Sequence, residues 1–173
     1  MVGTILTTQL WAQNRISCDQ GSVNFTSDAP LELIKASTNS LNGIIDIDNK
    51  TFAYRLQVNT FKGFNSPLQQ EHFYENYLHT SQFPQAIFQG KIIEDIDFHE
   101  EGTKTIRAKG VLEVHGVKQE RIIQCELQID NDQVVVSSTF YVPLKDHNIS
   151  IPKIVHQKIA EEILVEINAR FPK

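Results

Sequence analysis

Sulfur, basic runs and long apolar stretches are all scarce in this sequence. Its 173 residues hold one methionine and two cysteines, Cys18 and Cys125, and no C-x-x-C or Cys/His spacing suited to zinc. No run of Lys or Arg interleaves with aromatics, and 16 basic residues against 21 acidic ones give a formal charge of -5, which argues against nucleic acid as a partner. No apolar stretch approaches the roughly 20 residues of a membrane-spanning helix. No serine sits in a G-x-S-x-G elbow, and no nucleophile with a base, or carboxylate pair, stands out as enzyme machinery. Asp146 and His147 are adjacent, but neighbours on a strand face opposite ways, so they do not read as a working pair. There is no internal repeat. What remains is one domain in which 40% hydrophobic residues suffice for a core.

The residues present alternate with a period of two. Phe52, Tyr54, Leu56 and Val58 oppose Ala53, Arg55, Gln57 and Asn59, giving one dry face and one wet face. The same pattern runs through Leu41 to Ile47, Ala86 to Ile92, Ile106 to Val114, Ile123 to Ile129 and Val134 to Phe140. Leu31 to Ala36 reads as a separate strand, and Arg15 to Asp19 and Ser22 to Thr26 as a short pair broken by Gly21. The segment from Ile159 to Phe171 suits a helix or a strand, and the alternation of Ile163, Val165, Ile167, Ala169 and Phe171 favours the strand. His115 and Gly116 mark a hairpin turn.

One stretch breaks the rule. From Leu68 to Leu78 the apolar residues Leu68, Phe73, Tyr74, Tyr77 and Leu78 cluster with helical period, predicting a short amphipathic helix inside the one long connection, residues 61–83. Eight or nine strands with one dry face are too many for a flat sheet, and closure removes the edges. The expected fold is therefore all-β: a single antiparallel barrel of about eight strands with one helical lid insertion over an open end. Gly43, Ala86, Ala108, Gly110 and Ser138 would point inward and leave room, so Gly110→Phe would block the interior while sparing the fold. The inward set Ile45, Phe52, Tyr54, Leu56, Phe73, Tyr77, Phe88, Gly110, Leu112, Val136, Phe140 and Val165 would line a ligand site.

HFYENYL followed by FPQAIFQG, then GVLEVHGVKQE, STFYVPLKDHNISIP and a closing AEEILVEI together resemble the YceI-like family, in order, from Ile16 to Phe171. The resemblance carries the family's helix histidine to His72, its F-P-x-x-x-F strand to Phe83, Pro84 and Phe88, and its H-G-V turn to His115, Gly116 and Val117. The segment VPLKDHNISIP departs from the Arg/Asp-containing loop common in the family. The resemblance implies a lipocalin-like β-barrel whose central tunnel holds a polyisoprenoid, an isoprenoid quinone or a fatty-acid-like lipid. It implies a carrier, store or stress-related lipid-binding protein, without catalytic residues, that is periplasmic or secreted. Its partner would be an apolar small molecule, with a peripheral encounter with membranes and no cofactor beyond the lipid.

Several features keep two readings. Residues 1–13, MVGTILTTQLWAQ, read as a signal-peptide remnant or a flexible tail, ahead of a barrel domain over residues 14–173. Cys18 and Cys125 either pair in an oxidising compartment or serve as small buried hydrophobes. His72, Glu75 and His79 share a helical stripe, but i to i+7 spans about 10.5 Å, too far for one metal ion, so no metal site is assigned. The rings of Phe52, Tyr54, Phe88 and Phe140 either surround a ligand or fill the core outright, the latter giving a structural or interaction domain without ligand.

Overall fold

The computed structural model describes residues 14–173; the expected signal-peptide remnant or tail, residues 1–13, lies outside the described residues. Eight strands run in chain order: β1 (Arg15–Ala29), β2 (Glu32–Asp46), β3 (Thr51–Gln57), β4 (Gln85–Ile92), β5 (Gly102–Val114), β6 (Val117–Ile129), β7 (Gln133–Pro143) and β8 (Glu162–Pro172). Each pairs antiparallel with its sequence neighbour, and β1 pairs with β8 over Ser22–Thr26, so the sheet closes into a barrel in simple order. Among the described residues no helix is long and apolar enough to cross a membrane.

Two strand assignments change. The stretches expected as separate strands from Leu31 and from Leu41 form one continuous β2, and the pair thought broken by Gly21 is one β1. At Gly21 the β1–β2 register shifts, so the glycine marks a bulge that bends a long strand. The C-terminal segment is a strand, as its alternation predicts. Cys18 and Cys125 are both buried and free, as small apolar-face residues of β1 and β6.

In a simple up-and-down barrel the odd-numbered connections gather at one end. Here that end carries the β1–β2 turn, the β3–β4 connection, the His115–Gly116 turn and the β7–β8 connection. The expected helix is present as α1 (Pro67–His72), capped by the Ser66 side chain accepting from Gln69 N, with proline in its first turn. A π-helical turn over Phe73–Tyr77 follows, with Leu78 N bonded to Phe73 O. Phe73 docks this lid by stacking on Phe25 at 5.2 Å and meeting Phe64 at 5.0 Å.

Sequence reading recognised one long connection, and the structure has two. Residues 144–161 form a second mouth segment with 3-10 turns at Leu144–His147 and Lys153–Val155. It is tied to the β1–β2 hairpin by Leu31 N donating to Gln157 O at 2.9 Å and Ala160 N to Ser27 Oγ at 2.9 Å. Asp146 and His147 thus lie on a 3-10 turn and not on a strand. Asp146 reaches toward Arg121 at 3.8 Å, while His147 is fully buried.

Three histidines clamp the mouth segments together. His79 follows the lid at φ 44, outside the helix, so the supposed stripe with His72 and Glu75 does not form. Its Nδ1 lies 2.7 Å from His115 Nε2, and His115 Nδ1 lies 3.0 Å from the His147 carbonyl. A carbonyl only accepts, so His115 donates through Nδ1, and its Nε2 accepts from His79. His115 and Gly116 occupy the left-handed region at φ 53 and 70, as a two-residue hairpin turn demands. His147 Nδ1 donates in turn to Val117 O at 3.1 Å, and its Nε2 is buried with no partner among the described residues.

At the opposite end the interior is solid. Phe98, Phe171, Ile45, Leu127, Ile129 and Val134 are its most deeply buried hydrophobic side chains. Where β4 crosses β5 in this half, Gly90 pairs with Gly110, and a Cβ on Gly110 would stand 2.3 Å from Gln89 O. Gly110 therefore leaves no inward room; it lets two backbones touch. Gly110→Ala should lower stability by about 1–3 kcal/mol, seen as an earlier urea midpoint, and Gly110→Phe should fail to fold rather than block an intact barrel.

Burial holds the His147 pKa below its ordinary value, so the fold keeps the ring neutral. The unfolded chain takes up that proton as pH falls through about 6.5, whereas the folded chain waits for a lower pH. Stability should therefore fall as pH drops below about 6.5 and level off once the folded ring also titrates. Asp46 and Glu94, held low first by the backbone N–H groups of Asn49 and Arg107, act only in the more acidic carboxylate range. Urea midpoints between pH 7 and pH 5 should show this slope in the wild type and a shallower one in His147→Gln.

Candidate functional site

Above the solid half the barrel is hollow. A cavity of about 470 Å³ reaches from mid-barrel to the mouth, where it meets solvent beside the exposed Leu68. That volume lies within the roughly 300–1,000 Å³ of small-molecule pockets. Its walls come from the inward faces of the strands, so the two-residue alternation that makes a dry sheet face also makes an apolar lining. The roof is the lid with Phe73, Tyr77 and Leu78, joined by Ile149, Val155 and Ile159 of the second mouth segment.

Polar groups are sorted by height. Among the described residues, Glu32 and Lys158 are the only Asp, Glu, Lys or Arg side chains of the lining, and they stand at the rim with Ser66, Gln69 and His72. Gln69 Nε2 donates to Glu32 Oε1 at 2.8 Å, fixing the lid to the β1–β2 hairpin. Further down the lining is aliphatic and aromatic, relieved by Tyr54, Cys125 and Ser138. Ser138 Oγ donates to Gln124 O at 2.7 Å and the Cys125 thiol contacts Ile123 O at 3.7 Å. Burial raises the Cys125 pKa, which keeps it a thiol and a poor nucleophile. Among the described residues no group of three or more His, Cys, Asp or Glu is arranged to hold a metal ion.

Nine of the twelve residues expected at the site line this cavity: Tyr54, Leu56, Phe73, Tyr77, Phe88, Leu112, Val136, Phe140 and Val165. The other three do not. Ile45 and Phe52 belong to the packed core beneath it, and Gly110 lies at the β4–β5 crossing. The two readings of the aromatic rings thus divide by position: Phe52 fills core, whereas Tyr54, Phe88 and Phe140 face the void. The expected tunnel is instead a blind pocket, because large side chains plug its lower end. Sequence reasoning missed Phe25, Ile34, Phe61 and Phe64 as lining. Phe25 and Ile34 carried the alternation signal; Phe61 and Phe64 sit in irregular chain that has no period to read. The same holds for Ile149, Val155 and Ile159.

No curated protein matches the chain. Solved structures do. A polyisoprenoid binding domain from Saccharophagus degradans, implicated in plant cell wall breakdown, superposes with a TM-score of 0.77 at 14% identity, covering 91% of this chain and 97% of that one. BcnA of Burkholderia cenocepacia gives 0.72 at 11% identity over 87% and 95%. A Campylobacter jejuni YCEI protein gives 0.57 at 14% identity over 99% and 91%. At such identities these likenesses establish a common fold. The family model of the YceI-like domain matches residues 15–171, nearly the whole described chain, and the protein accordingly belongs to the YceI-like family.

Proposed function

We propose that this protein binds a long apolar ligand, a polyisoprenoid, an isoprenoid quinone or a fatty-acid-like lipid, in the upper half of its barrel, as a carrier, store or stress-related lipid-binding protein. The observation that carries the reading is the cavity itself: about 470 Å³ of blind, hydrocarbon-walled space with charge confined to its rim. Each methylene moved from water into such a space contributes roughly 0.8 kcal/mol, before the costs of ordering the chain. The fold shared with the polyisoprenoid binding domain points the same way. A periplasmic or secreted setting belongs to the proposal, as does delivery through a peripheral encounter with a membrane. The role proposed is uptake and transfer of the ligand.

Ala86 lines the cavity opposite Leu56, so a large side chain there enters the void and not the packed core. Delipidated wild-type protein mixed with a polyprenyl lipid should show a one-to-one adduct by native mass spectrometry. Ala86→Trp, with an unchanged circular dichroism spectrum, should bind about tenfold or more weakly, equivalent to ~1.4 kcal/mol or more. Absence of any adduct with polyprenyl, quinone and fatty-acid chains, or full uptake by the folded variant, would remove the basis for the proposal.

A further inference from the structure

At the floor of the cavity lies one polar group that the protein leaves unused. Tyr54 sits in mid-β3, opposite Gly43 of β2 and Phe88 of β4. Its ring occupies the space that Gly43 leaves free: a Cβ on Gly43 would come within 2.7 Å of Tyr54 Cε1 and 2.9 Å of Phe171 Cζ. Phe171 also meets the ring edge-on at 5.9 Å. The phenol is therefore wedged between β2 and the core plug and cannot swing away. Its neighbours in the interior are the thiols of Cys125 and Cys18, and burial pushes its pKa far above the ordinary phenol value, keeping it protonated.

Among the described residues none hydrogen-bonds the Tyr54 hydroxyl, whereas Ser138 and Cys125 at the same level direct theirs to backbone carbonyls. Phenylalanine would fill the same wedge without presenting a hydroxyl to the cavity, so packing does not use the group and it is free to meet an occupant. The hydroxyl therefore marks where a polar atom of the occupant belongs. That atom is neutral, because no cationic side chain lines the floor, and a carboxylate or phosphate there would be a buried, unpaired charge. Resting on the carrier reading above, we infer that Tyr54 anchors a neutral carbonyl or hydroxyl oxygen at the leading end of the apolar ligand. The ligand thus enters oxygen-first, with its hydrocarbon tail toward the lid.

The test compares geranylgeraniol with the corresponding tetraprenyl hydrocarbon on delipidated wild type and Tyr54→Phe. The wild type should prefer the alcohol by about fivefold. Tyr54→Phe should lose that preference while keeping its affinity for the hydrocarbon. A second readout needs no variant: a geranylgeranyl benzoquinone bound to wild type should show a carbonyl stretch lowered from its value in alkane, as hydrogen bonding requires. Equal affinity of the wild type for alcohol and hydrocarbon, a preference that survives Tyr54→Phe, or an unshifted carbonyl band would each overturn the assignment while leaving the carrier reading standing. Failure of wild type to bind either chain would instead defeat the carrier reading, and this inference with it.

Discussion

The β1–β8 ladder is the interaction on which the rest of this structure depends. Strand pairing at Ser22–Thr26 joins the first strand to the last, so the sheet closes on itself instead of ending in two free edge strands. Closure in simple order also fixes the ends of the molecule. Odd-numbered connections fall at one end, and both long ones, residues 58–84 and 144–161, are odd. The lid and the second mouth segment are therefore neighbours by topology, and the contacts through His79, His115 and His147 secure an adjacency that strand order had already created.

A closed ring of eight strands encloses a space that side chains can only just fill, and this chain fills one half of it. Below Tyr54, large residues such as Phe52, Phe98 and Phe171 pack to a solid plug, and glycines at positions 90 and 110 bring β4 and β5 into direct backbone contact. Above Tyr54 the inward residues stop short of one another and the cavity begins. Stability and binding are thus assigned to different heights of the same strands. The plug supplies a dense core of the kind that sets a unique fold, which leaves the upper walls free to face a void.

The lid is held by rings and polar pairs of different character. Phe25, Phe61, Phe64 and Phe73 form an aromatic knot beneath it, while Gln69 and Asn65 bond Glu32 and Leu33 O at its edge. Such a lid presents apolar surface to the cavity and polar surface to solvent. The π-helical turn at Phe73–Tyr77 swings the last lid aromatics inward, and Tyr77 joins the lining as a result.

The sequence by itself determined the sheet, because alternation with a period of two is local and the inward face of each strand can be read residue by residue. It also determined the lid helix, whose period of 3.6 stands out between strands, and the family, through motifs spread over nearly the whole chain. Gly110 and Phe52 show where that legibility stops: alternation told that they face in, but not whether they meet a void, a plug or another backbone. Height along the barrel depends on strand stagger and register, which arise only when all eight strands are paired. The second mouth segment escaped for a related reason, since Ile149, Val155 and Ile159 are placed by contacts with β1–β2 and the lid rather than by any repeat. Only the tertiary structure decided that the interior is half plug and half pocket, and that Tyr54 stands at the boundary, because volume and unspent hydrogen bonds are properties of the assembled barrel.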